Sequence, residues 1–282
     1  MVKKRIAIIT GASSGLGREF VRQLDKKMVM FREKSAGTEN LNENPKEKSN
    51  DILDEMWVIA RREERLAKLR SQVSTALRVI PLDLTQKKSY QTIRTLLEEE
   101  QPDVRYFINA AGFGKIGSWK DISIEDCDNM IDLNCRAAVN MTQLVLPFMS
   151  RGANVLEICS TAGFQPFPYL NVYSASKAFL YRYSRALRVE LFGAGIHVTA
   201  VCPYWVKDTE FIGTAQNTEN STYIRHFPLA SHEKNVVRHA LIDAELGLPV
   251  STPGLVCTVH RIAAKYIPSE IMMGIWALLR RI

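Results

Sequence analysis

A short apolar run, Arg5 to Ile9, passes directly into TGASSGLG at residues 10 to 17 and then into the helical pattern REFVRQL. The run suits a strand buried on both faces of a parallel sheet. A glycine-rich turn from such a strand into a helix leaves backbone amides free at the helix N-terminus, where the dipole also favours an anion. Gly11 permits the sharp turn, while Gly15 and Gly17 let backbone approach a pyrophosphate closely. The spacing is Gly-x-x-x-Gly-x-Gly rather than Gly-x-Gly-x-x-Gly. No Gly-Lys-Ser/Thr follows, which excludes a P-loop.

The same strand-then-helix rhythm continues down the chain. MWVIARRE, ALRVIPLDL, VRYFINAAG, NVLEICS, IHVTAVCP and PVSTPG read as further strands. SYQTIRTLLEEE reads as a helix ended by Gln101-Pro102, residues 124 to 149 as one long helix, and residues 231 to 247 as another. With 282 residues, 46% of them hydrophobic, the chain can bury one large core. The expected fold is a single doubly wound, Rossmann-type α/β domain over residues 1–254, with a central parallel sheet of about seven strands and helices on both faces.

Two departures from that rhythm stand out. In a dinucleotide-binding unit the residue that reads the adenosine ribose lies about 20 residues beyond the glycine turn; here Arg61 follows Gly17 by forty-four. The excess, residues 33–51, is polar and lacks an apolar period, and reads as a disordered insertion at the amino-terminal edge of the sheet. At the other end, residues 255–282 read as two apolar helices separated by Pro268. Such an extension can cap a site, pair subunits, or rest on anionic lipid through Arg280 and Arg281, the last being the least favoured.

Composition narrows the classes. A formal charge of +7 without a long Lys/Arg run gives no nucleic-acid tail. The five cysteines are odd in number and form no CxxC pair, and the five histidines are scattered. Both patterns point to reduced thiols, a cytoplasmic protein and no metal. The apolar run near the N-terminus is only four residues before Thr10 and Gly11 break it, too short for a signal peptide. The longest apolar stretch, Ile271 to Leu279, falls well short of the ~18 residues that span a bilayer.

Residues 160 to 177 read STAGFQPFPYLNVYSASK. Tyr173 and Lys177 are four apart and share a helix face. An ammonium beside a phenol favours its anion, which would draw its pKa from about 10 toward neutrality and suit it to proton transfer. Ser160 lies at the end of the run NVLEICS, where a strand would deliver its hydroxyl to the same place. With nine tyrosines in the chain, the Tyr-x-x-x-Lys spacing alone carries little weight. Its surroundings carry the rest.

TGASSGLG, NAAG at 109 to 112, Asn134, Ser160 and Tyr173-x-x-x-Lys177 together, in this order and spacing, resemble the short-chain dehydrogenase/reductase family over nearly the whole chain. The resemblance implies Tyr173 as proton donor, Ser160 as the holder of the substrate oxygen and Lys177 as partner to the tyrosine and the nicotinamide ribose. It implies that Asn134 holds a relay water. It also implies dinucleotide contacts from Gly11, Ser13, Ser14, Gly15, Leu16 and Gly17, from Asp83 and Leu84 beside the adenine, from Asn109, Ala110, Ala111 and Gly112, and from the Val206 backbone. Asn109 has an equal claim to a purely structural role.

Where family members that use NAD carry an acidic residue, this chain has Ala60, then Arg61 and Arg62. A carboxylate would repel a 2′-phosphate, whereas a guanidinium grips it bidentately. The expected cofactor is therefore NADP(H), with Arg61 ahead of Arg62 as its ligand. REERLAKL also reads as a solvated helix start, and both readings can hold. Phe164, Phe167, Tyr169, Tyr204, Trp205 and Phe211 flank the reaction centre in such a fold and predict an aromatic, apolar substrate pocket. The family's Pro-Gly after the sixth strand is Pro203-Tyr204 here, and Thr209 stands one residue late, which weakens its claim on the nicotinamide amide. The implied activity is hydride transfer between NADP(H) and a bulky hydrophobic carbonyl compound or secondary alcohol, hydroxysteroid-like or 3-oxoacyl, by a homodimer or homotetramer. The alternative is a dinucleotide-binding sensor without turnover, which would tolerate loss of Tyr173.

Overall fold

A computed structural model describes residues 3–37 and 52–280. Its centre is a seven-stranded, all-parallel sheet: β1 Arg5–Thr10, β2 Glu55–Ala60, β3 Ala76–Pro81, β4 Asp103–Asn109, β5 Asn154–Ile158, β6 His197–Val201 and β7 Val250–Ser251, in the order β3-β2-β1-β4-β5-β6-β7. The strand runs are near-continuously apolar because both faces are covered. Ile6, Ile8 and Phe107 point to one layer, Ala7, Ile9 and Ile108 to the other.

One layer holds α1 (Gly15–Gly37), α2 (Glu63–Arg70) and α8 (Glu233–Glu245), packed through Phe20, Leu66 and Val237. The opposite layer holds α3 (Lys87–Glu100), α5 (Ala138–Val145) and α6 (Asn171–Glu190), packed through Ile93, Met141 and Leu187. As expected, α3 stops at Gln101, which turns left-handed before Pro102. The strand order reverses between β1 and β4, and ligands in open α/β sheets bind at the carboxyl ends beside such a reversal.

Two expectations are revised. The helix after the glycine turn does not end before residue 33 but continues to Gly37; the remainder of the 33–51 insertion, residues 38–51, lies outside the described residues. Residues 124 to 149 are not one regular helix. They form α4 (Ile124–Ile131), a wider π turn over Asp132–Ala137, α5, and a tight final turn at Leu146–Phe148. The C-terminal helices α9 (Leu255–Tyr266) and α10 (Ser269–Leu279) lie on either side of Pro268. Trp276 is buried against Phe167, their rings 5.0 Å apart and nearly perpendicular, and its indole N–H donates to Pro168 O at 3.3 Å. Among the described residues no helix is long and apolar enough to cross a membrane.

Candidate active site

A cleft of about 650 Å³ runs along the carboxyl ends of the strands, from the glycine turn at one end to the aromatic residues around Tyr173 at the other. The turn from Gly11 to Gly17 forms its floor. Gly11 has φ +67°, and a Cβ there would lie 2.8 Å from Ala110 O; a Cβ at Gly17 would lie 2.5 Å from Gly11 O. Side chains at either position would fill the cradle or break the turn, so the backbone here is bare by necessity. The residues expected to hold a dinucleotide line this cleft, Val206 included, with the exception of Asn109.

Asn109 is buried in the strand and works structurally. Its Oδ1 accepts from Thr10 Oγ1 at 3.1 Å and its Nδ2 donates to Ala138 O at 3.0 Å, binding β1, β4 and α5 together. Thr10 in turn accepts from Ala111 N at 3.0 Å, which fixes the exit of β4. At the glycine-turn end of the cleft Arg61 is mostly exposed, 4.0 Å from Asp83. It is Arg62 that reaches across the glycine turn, donating to Ser14 Oγ at 2.8 Å and to Ser13 Oγ at 3.1 Å, and to Glu210 Oε2 at 2.7 Å. Glu210 also pairs with Arg65. A carboxylate of the chain itself thus sits on a two-guanidinium site, direct evidence that these donors accept an anion. Bare backbone and anion-binding donors together fit a phosphorylated dinucleotide.

At the other end, Ser160, Tyr173 and Lys177 all face the cleft and are all buried. Ser160 caps the tight turn after β5, its Oγ accepting from Ala162 N at 3.1 Å. Tyr173 and Lys177 lie one turn apart on α6, the Lys177 ammonium 5.9 Å from the centre of the tyrosine ring. That ammonium donates to Ile158 O at 2.7 Å. The expected lowering of the phenol pKa is not what the fold produces. Burial pushes Tyr173 well above the ordinary tyrosine value, a hydrogen bond with Ser160 offsetting part of it. Burial likewise pushes Lys177 down. The lysine's charge is spent on a strand carbonyl, and desolvation outweighs what would favour the phenolate.

Asn134 is fully buried in the π turn and does not line the cleft. Its Oδ1 accepts from Phe113 N at 3.1 Å, and its Nδ2 donates to Phe113 O at 2.8 Å and Ser176 Oγ at 3.0 Å. A mid-helix asparagine gains nothing from an ordinary helix, and a π turn is the irregularity that frees such a side chain for other partners. A Cβ at Gly112 would lie 2.8 Å from Asn134 Oδ1 and 3.2 Å from Lys177 Nζ, so the two groups converge on one point.

The aromatic wall is partly as expected. Phe167, Tyr204, Trp205 and Phe211 line the cleft. Phe164 and Tyr169 do not. Phe164 turns into the layer behind, edge-on to Tyr181 and His260 at 5.3 and 5.8 Å. Tyr169 stacks on Tyr223 at 4.0 Å beneath the Arg280 guanidinium. Both lie on a loop without periodic register, so sequence position could not say which way they turn. Sequence reasoning also missed Lys115, Glu210 and Trp276, which line the cleft. Lys115 is spent on Asn217 O at 2.7 Å and Asp126 at 3.3 Å. The GFGK that follows NAA was a usable signal for Lys115; nothing local pointed to Trp276, about 100 residues after the tyrosine.

Residues 54–220 match the family model described as short chain dehydrogenase. Sulfoacetaldehyde reductase 2 of Chromohalobacter salexigens is 32% identical over 241 residues, covering 81% of this chain and 84% of that protein. The NADP-dependent 3-hydroxy acid dehydrogenase YdfG of Escherichia coli O157:H7 is 31% identical over 214 residues, covering 73% and 74%. Among solved structures, the closed form of a serine dehydrogenase complexed with NADP+ is 26% identical with a TM-score of 0.66, covering 89% of this chain and 98% of that one. A short-chain dehydrogenase from Sphingobium yanoikuyae in complex with NADPH has a TM-score of 0.72 at 24% identity, covering 95% of both chains, a likeness of fold.

Proposed function

This chain belongs to the short-chain dehydrogenase family, and from that premise we propose that it is an NADP(H)-dependent oxidoreductase interconverting a bulky hydrophobic carbonyl compound, hydroxysteroid-like or 3-oxoacyl, and its secondary alcohol. The observation that carries this reading is a single cleft with a phosphate-binding turn and arginines at one end and Ser160, Tyr173 and Lys177 at the other. When bound, the nicotinamide supplies or accepts the hydride; the protein supplies orientation and electrostatics.

The glycine turn and Arg62 are assigned the pyrophosphate and the 2′-phosphate, with Asp83 and Leu84 beside the adenine. Ser160 holds the substrate oxygen toward the Tyr173 hydroxyl. Tyr173 is protonated in the fold, the state needed to donate to an alkoxide forming as a ketone is reduced. Asn134 and Lys177, converging at Gly112, are assigned the return of a proton to the phenol. Phe167, Trp205, Phe211 and Trp276 make the reacting end of the cleft aromatic, which supports a bulky hydrophobic substrate.

Ile131, Phe179, Val189 and Phe192 are exposed on and beside the helices that carry Asn134 and Tyr173. That apolar outer surface supports pairing of subunits there, as a homodimer or homotetramer. A panel of ketones, aldehydes and secondary alcohols read by NADPH absorbance tests the reading. Turnover of hydrophobic ketones that Tyr173→Phe abolishes is expected. Wild-type protein that binds NADPH but turns over nothing in the panel would favour the sensor instead.

A further inference from the structure

The segment between Val206 and Ser231 follows β6 and forms a lid on the cleft, lining it with Val206, Thr209, Glu210, Phe211 and Thr214. Its base is closed by a parallel bridge between those two residues, with Lys207 N donating to Ser231 O at 3.1 Å and Ser231 N to Trp205 O at 2.8 Å. On the substrate side the lid is held by three hydrogen bonds of 2.7 Å: Ile116 N to Ala215 O, Lys115 Nζ to Asn217 O, and Thr218 Oγ1 to Ile116 O. On the adenosine side its attachment is different in kind. There Glu210 spans the mouth of the cleft to Arg62 and Arg65, and Arg62 hands the contact on to Ser13 and Ser14 in the glycine turn.

Glu210 is half-exposed, as are both arginines. Ion pairs of this kind are weak and exchangeable. A phosphate monoester carries more charge than a carboxylate and accepts two parallel hydrogen bonds from a guanidinium. It would therefore displace Glu210 from Arg62 and then repel it. Glu210 is followed immediately by Phe211, the first residue of α7 (Phe211–Gln216), whose ring lies 5.3 Å from that of Tyr173. One peptide bond separates the ion pair from a side chain that touches the proton donor.

We propose that Glu210 is a latch competing with an adenosine 2′-phosphate for Arg62 and Arg65, so that the identity of the dinucleotide sets the position of the lid and of Phe211 over Tyr173. The proposal rests on the dinucleotide reading above. It makes Glu210 a specificity-determining residue: without the 2′-phosphate the latch stays closed, and with it the lid is released at one end.

Adenosine 2′,5′-bisphosphate and adenosine 5′-monophosphate test this without a nicotinamide, since neither reaches Tyr173. Hydrogen exchange across residues 207–216 and calorimetric affinities would be measured on the full chain, wild type and Glu210→Gln. The bisphosphate is expected to speed exchange in the lid and the monophosphate to leave it unchanged. Glu210→Gln is expected to bind the bisphosphate about three- to tenfold tighter with monophosphate affinity unaltered, and to show the fast lid exchange without nucleotide. Glu210→Asp, with the charge on a shorter arm, should fall between, which guards against a folding artefact. Equal lid exchange with both nucleotides, or bisphosphate affinity unchanged or weakened in Glu210→Gln, would overturn the latch while leaving the dinucleotide reading standing. Failure of both nucleotides to bind would remove that reading and the latch with it.

Discussion

The ammonium of Lys177 donates a hydrogen bond to the carbonyl oxygen of Ile158 at 2.7 Å and stands 5.9 Å from the ring centre of Tyr173, one turn before it. Burial then governs the tyrosine, holding it protonated. In the protein without nucleotide, difference titration of tyrosinate absorbance between wild type and Tyr173→Phe should show no group ionising below the ordinary tyrosine value of about 10. A difference band growing in near pH 8 would contradict the geometry.

Turnover is expected to fall about 10²- to 10⁴-fold in Tyr173→Phe, the usual contribution of a positioned acid or base. Because Phe preserves the ring packing against Phe211, NADPH affinity and melting temperature should change little. A variant that lost affinity and stability in parallel with rate would mark the residue as architectural.

Asn134 serves the backbone of Phe113 with both ends of its amide and Ser176 with its nitrogen. Asn134→Ala removes the partner of the partly buried Phe113 amide and carbonyl, at a cost of up to about 1–3 kcal/mol for each group left unsatisfied. Urea unfolding should register that loss, and turnover should fall with it. Unchanged stability would mean that water replaces the side chain.

Glu157 on β5 is fully buried, and burial pushes its carboxyl up to about 7, against the Thr142 hydroxyl, Asn109 and Lys177, which favour the ion. Thr142 Oγ1 stands 2.7 Å from Ala138 O and 2.8 Å from Glu157 Oε1, with one proton for two acceptors. The carbonyl can only accept, so a protonated Glu157 completes the pair. In the unfolded chain the carboxyl titrates near 4.5. The folded state therefore binds the extra proton between about 4.5 and 7; this stabilisation is present below the lower value and is lost as pH rises through the upper one. Glu157→Gln, which keeps the neutral shape, should match wild type near pH 5 and exceed it at pH 8 by on the order of 2–3 kcal/mol in chemical denaturation. A constant difference across pH would refute the assignment.

Arg62 makes the contacts to the glycine turn, whereas Arg61 stays 73% exposed beside Asp83. Arg62→Ala is expected to weaken NADP(H) about 10- to 100-fold relative to NAD(H), the worth of a charged hydrogen bond, and Arg61→Ala to do less. Fluorescence titration of both cofactors would decide between them.

How much of this was legible without coordinates follows the range of the interactions. The glycine turn, the apolar strands and the Tyr-x-x-x-Lys pair are set by neighbours within a few residues, so periodicity, dihedral demands and helix geometry on their own placed the sheet, the glycine-turn end of the cleft and the shared face of Tyr173 and Lys177. The π turn at Asn134, the outward rotation of Phe164 and Tyr169, the arrival of Trp276 on Phe167 and the span of Glu210 to Arg62 depend on partners tens to hundreds of residues away. So does the protonation of Tyr173 and Glu157, because desolvation is a property of everything packed around a group. Local chemistry chose which groups the chain carries to its cleft; only tertiary packing decided which of them meet, and in which charge state.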